Sequence, residues 1–138
     1  MSQLAAIPRT AMNWYVTVLK RYGVFVGRAG QAEFWWFFLI NLLITIALAV
    51  VDQHTGTFDA EGGYGLVSGI YTVAVALPTL AVSVRRLHDT GRSGWWVLIG
   101  IIPVVGTIIL LALFILEGTP GDNRFGPQPR SGPAGDAA

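Results

Sequence analysis

Three long apolar runs dominate the pattern of hydrophobic and polar positions along the chain. They cover residues 34–51, 64–84 and 95–116, and none of them contains an ionisable side chain of Asp, Glu, Lys or Arg. An α-helix needs about 20 predominantly apolar residues to cross the hydrocarbon core of a bilayer. The pattern therefore predicts three transmembrane helices.

The third run is less regular than the first two. Gly100, Pro103 and Gly106 interrupt its first half, whereas its second half is unbroken and aliphatic. A break at 103–106 offers an alternative in which the run re-enters the side of the membrane from which it came. The side on which the C-terminus lies is therefore open. A cleavable signal peptide is disfavoured for the first run, because more than 30 residues precede it.

Residues 13–30 have the pattern of an amphipathic helix. Apolar side chains such as Trp14 and Val18 fall on one face, and Lys20 and Arg21 fall on the opposite face. This arrangement predicts a helix that lies in the headgroup region of the bilayer. The alternative is a helix whose apolar face packs on a protein partner.

The composition agrees with a membrane location, since 53% of the residues are hydrophobic and only 12% are charged. The chain has no cysteine, which excludes disulfides, thiol catalysis and sulfur-ligated metals. The predicted fold class is an all-α integral membrane protein, with an N-terminal amphipathic interfacial helix and three transmembrane helices. A single membrane domain at 13–127 is expected between a weakly ordered lead at 1–12 and a disordered tail at 128–138.

Basic residues are concentrated on one side of the predicted membrane. Four of them precede the first run, and Arg85, Arg86 and Arg92 lie between the second and third runs. The loop at 52–63 has three acidic residues and no Lys or Arg. By the positive-inside rule the N-terminus and the second loop are cytoplasmic. Three crossings place the C-terminus outside, whereas a re-entrant third run keeps it inside.

Charged side chains gather in two motifs at this predicted cytoplasmic side. The candidates for a polar cluster or a lipid-headgroup site are Arg28, Glu33, Arg85, Arg86, His88, Asp89 and Arg92. Arg85 and Asp89 are four residues apart and are expected to pair on one helix face. Gly91 is expected to end that helix, and Ser93 to cap the next.

Glu33 also requires a partner, and three arginines compete for it. Arg28 is close in sequence, whereas Arg85 and Arg86 would have to reach it across the helix bundle. The arginines are also suited to anionic lipid headgroups. His88 is an acid or base candidate, but one histidine and one carboxylate without a nucleophile rarely form an active site, and we predict no catalytic residue.

Several other functions find little support in the residues. His54 and His88 fall on opposite sides of the predicted membrane, so no metal site is expected, and no cofactor motif is present. The segment at 118–127 is predicted to be a turn and not a phosphate-binding loop. No basic stripe for nucleic acid is present, and no ionisable group for ion-coupled transport lies at the midplane.

Three residues inside the apolar runs are candidates for helix packing. Asn41 is expected to form a hydrogen bond with a neighbouring helix, and Gly65 and Gly69 have the spacing that allows close helix approach. These contacts are possible within the bundle or between copies. Three helices enclose little volume, so a homo-oligomer or a membrane protein partner is expected in addition to the lipid bilayer.

Three motifs in order carry a resemblance to a known family. They are Gly27-Arg28 followed by Glu33-Phe34-Trp35, then the stretch from Leu77-Pro78 to Trp95-Trp96, and finally the stretch from Gly118-Thr119-Pro120-Gly121 to Gly126-Pro127. In this order, over residues 13–129, they resemble the small bacterial inner-membrane proteins of domain-of-unknown-function family 805. The resemblance implies an inner-membrane location and implies no reaction.

Two classes of function follow from these features. The first is a non-catalytic membrane component that binds lipid headgroups or a protein partner. The second is a subunit of an oligomeric transporter or membrane enzyme that uses Arg85, His88, Asp89 and Glu33. The second class requires those side chains to converge around a cavity, whereas the first allows them to pair with one another.

Overall fold

The computed structural model describes residues 2–129, and side chains from Ala11 onward. Within this part the helices are α1 Ser2–Lys20, α2 Gln31–Thr55, α3 Leu66–Asp89, a 3₁₀ helix Gly94–Ile101 and α4 Val105–Ile115. A two-stranded antiparallel hairpin, β1 Phe58–Asp59 and β2 Tyr64–Gly65, connects α2 to α3. The chain is therefore mostly helical, as predicted.

Two helices in the described residues, α2 and α3, are long and apolar enough to cross a membrane. They contain the predicted runs at 34–51 and nearly all of 64–84. Most residues of these spans are exposed or partly exposed in the isolated chain, since only 11% of the α2 span and 28% of the α3 span are buried. This exposure is typical of helices whose solvent is lipid.

The connection between α2 and α3 is fixed by Asp52, which is fully buried. Its Oδ1 and Oδ2 accept hydrogen bonds from the backbone N–H groups of Val67 (2.8 Å) and Ser68 (2.9 Å), so that it caps the start of α3. A Cβ at Gly65 would lie 2.0 Å from Asp52 Oδ2. Gly65 therefore makes room for this carboxylate. Gly69 has open space around it, so of the two glycines only Gly65 makes a close approach to another helix among the described residues.

Asn41 lies on α2, and its side chain contacts α3. Its Oδ1 accepts a hydrogen bond from the hydroxyl of Tyr71 (2.7 Å), and that hydroxyl lies 2.8 Å from the hydroxyl of Tyr15 on α1. Three helices thus meet at one polar contact within an apolar bundle.

The N-terminal region differs from its prediction. The helix begins at Ser2 and not at 13, so residues 2–12 are part of α1, and it ends at Lys20 and not at 30. The segment at 21–30 is irregular, since it contains three glycines, one of which, Gly27, has a φ of +96° that disfavours residues with a side chain. The interfacial position that we predicted for this helix is not confirmed.

The apolar face of α1 packs on its own chain. Trp14 and Val18 are buried, and the Tyr15 ring stacks on Phe37 of α2 with 5.3 Å between ring centroids. The apolar face of α1 therefore contacts α2 of the same chain.

The prediction of a continuous helix at 95–116 is wrong. The 3₁₀ helix and α4 are separated at 102–104, where Pro103 has no N–H for a helical hydrogen bond. Val104 has φ +63° and ψ −64°, and Val105 N–H donates to the carbonyl of Pro103 (2.7 Å), which is the geometry of a tight γ-turn. We call the unit at 94–115 the helical hairpin.

Both ends of the helical hairpin lie beside the end of α3. A Cβ at Gly94 would contact Val84 and His88, and a Cβ at Gly118 would contact Asp89. The third run therefore returns to the end of the bundle from which it started, as in the re-entrant alternative. Of the predicted tail at 128–138, residues 130–138 lie outside the described residues.

Close packing at Gly106 holds the two arms of the helical hairpin together. A Cβ there would lie 1.9 Å from the carbonyl oxygen of Ile99, which belongs to the backbone and cannot rotate away. Gly106→Ala is expected to lower the free energy of unfolding by about 1–3 kcal/mol through overpacking. Gly69→Ala is the matched control, because it adds the same methyl group to open space in a helix and is expected to raise stability by up to about 1 kcal/mol. Thermal unfolding of both variants in detergent checks this difference in sign, and equal effects would contradict it.

Candidate functional site

Five charged side chains meet where α2 begins and α3 ends. Arg28, Glu33, Arg85, Arg86 and Asp89 are each buried, with at most 6% of the residue surface exposed. We call them the buried charge cluster. They meet because α2 and α3 are antiparallel neighbours, so that the start of one lies beside the end of the other. Five of the seven candidate residues are thus brought together.

Glu33 pairs with Arg85 and not with Arg28 or Arg86. Arg85 Nη1 donates to both carboxylate oxygens of Glu33, at 2.9 and 3.0 Å, and Arg85 Nε donates to the carbonyl of Val24 at 3.0 Å. The guanidinium of Arg21, which is partly exposed, lies 3.9 Å from the same carboxylate. The expected pairing of Arg85 with Asp89 is therefore wrong, because the Arg85 guanidinium forms its ion pair with Glu33 on the neighbouring helix α2.

Asp89 accepts hydrogen bonds from two other arginines. Arg86, three residues earlier on the same helix, donates to Oδ2, and Arg28 donates to Oδ1 at 2.9 Å. A charged group that is buried in this way requires an opposite charge and a full set of hydrogen bonds. The two cations provide both for this carboxylate.

Arg86 also holds the end of α4. Its Nε donates to the carbonyl of Phe114 (3.1 Å), its Nη2 donates to the carbonyl of Leu116, and its Nη1 donates to the carbonyl of Ala29 (3.2 Å). The last carbonyls of a helix have no partner within the helix and carry a partial negative charge. One side chain on α3 thus joins α3, the end of α4 and the loop before α2.

Arg28 joins the C-terminal segment, residues 118–128, to the same end of the bundle. Besides Asp89, it donates to the backbone carbonyls of Thr119, Gly121 and Gly126. The backbone N–H of Thr119 donates to the carbonyl of Asp89 at 2.7 Å. The sequence pattern predicted only a turn in this segment and gave no indication that the segment completes the site.

The charge count shows why backbone carbonyls are needed. The buried charge cluster has three guanidinium groups and two carboxylates, so one positive charge is not matched by a side chain. Carbonyl groups in the segment at 21–30, at the ends of α3 and α4 and in the C-terminal segment supply the remaining acceptors. Within the described residues, Arg85 Nη2 is the buried side-chain nitrogen without a hydrogen-bond partner.

His88 and Arg92 lie at the edge of the cluster. The His88 ring stacks on Phe125, with centroids 4.0 Å apart and planes at 4°, and its Nδ1 is 2.9 Å from the carbonyl of Gly27, to which it donates. Arg92 is partly exposed and forms no ion pair with any residue in 2–129. Gly91, with φ +79°, follows the end of α3, and Ser93 caps the 3₁₀ helix, as predicted.

Three concave surfaces lie around these residues. Two adjoining cavities of about 640 and 430 Å³ share Trp14, Arg28 and Glu33 in their walls. A smaller, mostly apolar groove of about 210 Å³ lies between α2, α3 and α4 and includes Asn41 and Thr107. No group of three metal-ligating His, Asp or Glu side chains is found in residues 2–129. Of the charged side chains in the cavity walls, Arg21, Arg28, Glu33 and Asp89 are paired, whereas the exposed Glu117 forms no ion pair within the described residues.

Comparisons with known proteins agree on a family and a location. A family model described as "Protein of unknown function (DUF805)" matches residues 22–127. The chain is 46% identical to inner membrane protein YhaH of Escherichia coli K12 over 122 residues, which are 88% of this chain and 100% of that protein. It is 44% identical to inner membrane protein YhaI of the same strain over 121 residues, 88% of this chain and 98% of that protein. No solved structure matches the chain.

Proposed function

The chain belongs to the DUF805 family of proteins of unknown function, and from this premise we propose that it is a non-catalytic component of the inner membrane whose cytoplasmic face contacts anionic lipid headgroups. In this proposal α2 and α3 cross the bilayer as a multi-pass pair, and the helical hairpin enters from the cytoplasmic side and returns. The N-terminus and the C-terminal segment are cytoplasmic.

The observation that carries the proposal is the pairing inside the buried charge cluster. A catalytic or transport site needs a polar group that can reach a substrate in a pocket. Here Glu33 and Asp89 are each paired with arginine, and Arg28 and Arg86 are engaged with carboxylates and backbone carbonyls. These groups fasten the irregular segment at 21–30, the helices and the C-terminal segment together. This arrangement favours a structural role over the alternative of a transporter or enzyme subunit.

The charge distribution supports the orientation and the lipid contact. Lys20, Arg92 and Arg124 are exposed or partly exposed at the end of the bundle that carries the cluster. The opposite connection carries Asp59 and Glu61 and no basic residue other than His54. The basic end is expected in the cytoplasm, where anionic lipid attracts each exposed Lys or Arg by about 1 kcal/mol.

Lipid selectivity tests the proposal. We expect phosphatidylglycerol to raise the thermal midpoint of the detergent-purified protein more than phosphatidylcholine does, and we expect salt to reduce this difference. Lys20→Gln with Arg92→Gln, which leaves the buried charge cluster intact, is expected to reduce the preference for phosphatidylglycerol by at least half.

Removal of acidic residues provides the control of opposite sign. Glu117 and Asp122 are exposed near the same end, so Glu117→Gln with Asp122→Asn is expected to increase the preference for phosphatidylglycerol. Equal stabilisation by both lipids in the wild-type protein would reject the lipid contact.

A further inference from the structure

The start of α2 has hydrogen-bond donors without acceptors. The first N–H groups of a helix have no partner within the helix, and no side chain caps α2 at Gly30. The backbone N–H groups of Gln31, Ala32 and Glu33 donate to no acceptor among the described residues. The Glu33 carboxylate is at the position from which an acidic side chain can turn back to the start of its helix, but Arg85 holds it instead. The partial positive charge of this helix end is therefore open to a ligand.

A second, independent donor is the indole N–H of Trp14. Only 5% of this residue is exposed, and it lies in the walls of both cavities at this end of the bundle. Its Nε1 has no hydrogen-bond partner among the described residues, where Arg85 Nη2 is the fully enclosed side-chain nitrogen without one. The Trp14 N–H is thus reached from the cavities. A nearly buried donor of this kind is stabilised by a ligand that brings an acceptor oxygen.

The two sets of donors adjoin the same cavities. Gln31, Ala32 and Glu33 line the cavity of about 430 Å³, and Trp14 and Gly30 line both this cavity and the one of about 640 Å³. Volumes in this range are typical of small-molecule sites. They have room for a phosphate group together with its ester substituents.

The charges around the cavities favour an anion. Arg28 lies in both walls, and Arg21, whose side chain is 43% exposed, lies in the larger one. Glu33 and Asp89 are neutralised by ion pairs with arginine, and the acidic side chain that is left, Glu117, is exposed. With the buried arginines of these pairs included, guanidinium groups outnumber carboxylates here, and the end of α2 adds to their positive charge.

We propose that the start of α2 is a phosphate-binding site, in which the backbone N–H groups of residues 31–33 and the indole N–H of Trp14 donate to phosphate oxygens. Helix N-termini bind phosphate because the N–H groups and the helix dipole both favour it. The inference rests on the proposed function for the source of the phosphate, which is an anionic phospholipid at the cytoplasmic face. Inorganic phosphate has the same oxygens, and the experiment distinguishes the two sources.

Two substitutions of Gly30 test the helix donors without a change in net charge. Gly30→Asn supplies a side-chain oxygen that caps these N–H groups, whereas Gly30→Ala adds a Cβ without an acceptor. The backbone at Gly30 is extended, and an added Cβ would lie 3.4 Å from the Cβ of Pro129, an ordinary contact. We expect Gly30→Asn to weaken phosphate binding by about fivefold or more, and Gly30→Ala by less than about twofold.

Trp14→Phe tests the indole donor, because it keeps an aromatic ring and removes the N–H. We expect it to weaken phosphate binding by about threefold or more, since hydrogen bonds to charged acceptors are the stronger ones. Trp96→Phe is the matched control, because Trp96 is 45% exposed on the 3₁₀ helix and lies in neither cavity. Equal effects of the two tryptophan substitutions, or of the two Gly30 substitutions, would overturn the site.

Binding is measured by calorimetry on the full chain in a maltoside detergent at constant ionic strength. The probes are inorganic phosphate, dihexanoyl phosphatidylglycerol and dihexanoylglycerol, which has no phosphate. We expect phosphatidylglycerol to bind about tenfold more tightly than dihexanoylglycerol, and inorganic phosphate to compete with it. Tighter binding of inorganic phosphate than of phosphatidylglycerol would keep the site and reject a lipid as its source. Binding of neither would overturn the inference.

The failure of this site and the failure of the proposed function are distinguishable. If Gly30→Asn leaves phosphatidylglycerol binding unchanged while the lipid preference still depends on Lys20 and Arg92, the phosphate site is wrong and the general lipid contact stands. If inorganic phosphate binds in a Gly30-dependent way but phosphatidylglycerol and phosphatidylcholine stabilise the wild-type protein equally, the lipid contact is wrong and the phosphate site stands.

Discussion

Replacement of Arg86 by methionine is expected to lower the free energy of unfolding by about 3–5 kcal/mol, because it removes one partner from a buried, hydrogen-bonded charge network. Methionine fills much of the same volume without a donor. The carbonyls of Ala29, Phe114 and Leu116 would each lose a hydrogen bond, and Asp89 would keep only Arg28. The end of α4 would then be detached from α3.

Arg86→Lys separates the loss of charge from the loss of geometry. It keeps the positive charge, but one ammonium group cannot donate at once to Asp89 and to the carbonyls of Ala29 and Phe114, as the planar guanidinium does. We expect it to remain clearly less stable than the wild-type protein. Both variants are measured by denaturant titration of tryptophan fluorescence in bicelles.

Arg92→Met is the matched control, because it makes the same change in charge six residues further along the chain. Arg92 is partly exposed and has no ion pair in the described part of the chain, so an effect within about 0.5 kcal/mol is expected. If Arg86→Met and Arg92→Met lower the free energy of unfolding equally, Arg86 does not hold the end of α4 on α3.

The sequence was sufficient for the two spanning candidates and for the location of the charged motifs. Long apolar runs without ionisable residues leave few alternatives to membrane helices. Once α2 and α3 are antiparallel, residues near Glu33 and residues near Asp89 must lie at the same end. Both predictions follow from chain connectivity and need no knowledge of side-chain contacts.

The pairing of charges could not be predicted in the same way. On a helix both three-residue and four-residue separations are close, so Asp89 was available to Arg85 and to Arg86. The choice depends on what the rest of the fold places opposite each guanidinium. Glu33 faces Arg85, and the carbonyls that end α4 face Arg86. These acceptors come from distant parts of the sequence.

The third run shows the limit of hydropathy as a signal. A spanning helix and a re-entrant hairpin of 22 apolar residues have the same mean hydropathy, and only backbone signals distinguish them. Pro103 and Gly106 were such signals, and the structure uses both, one at the turn and one at the contact with Ile99.

The pair of Glu33 and Arg85 gives the second large expected effect. Glu33→Gln leaves the fully buried Arg85 guanidinium without a counter-charge and is expected to cost about 3–5 kcal/mol of stability. Arg85→Met is expected to cost less, since the partly exposed side chain of Arg21 already lies 3.9 Å from Glu33 and has room to move closer. The free energy of unfolding of each variant is measured in bicelles by denaturant titration.

A double-mutant cycle tests whether this pair is the one that matters. Glu33→Gln with Arg85→Met removes both charges together. We therefore expect the double variant to lose about 2 kcal/mol or more less stability than the losses of the two single variants added together. Glu33→Gln with Arg86→Met should show a much smaller coupling, because Arg86 donates to Asp89 and to backbone carbonyls and not to Glu33. Equal coupling to both arginines would mean that Glu33 interacts with the charges of the cluster as a whole. Selective coupling to Arg85 would mean that this single pair makes the contact between the start of α2 and the end of α3.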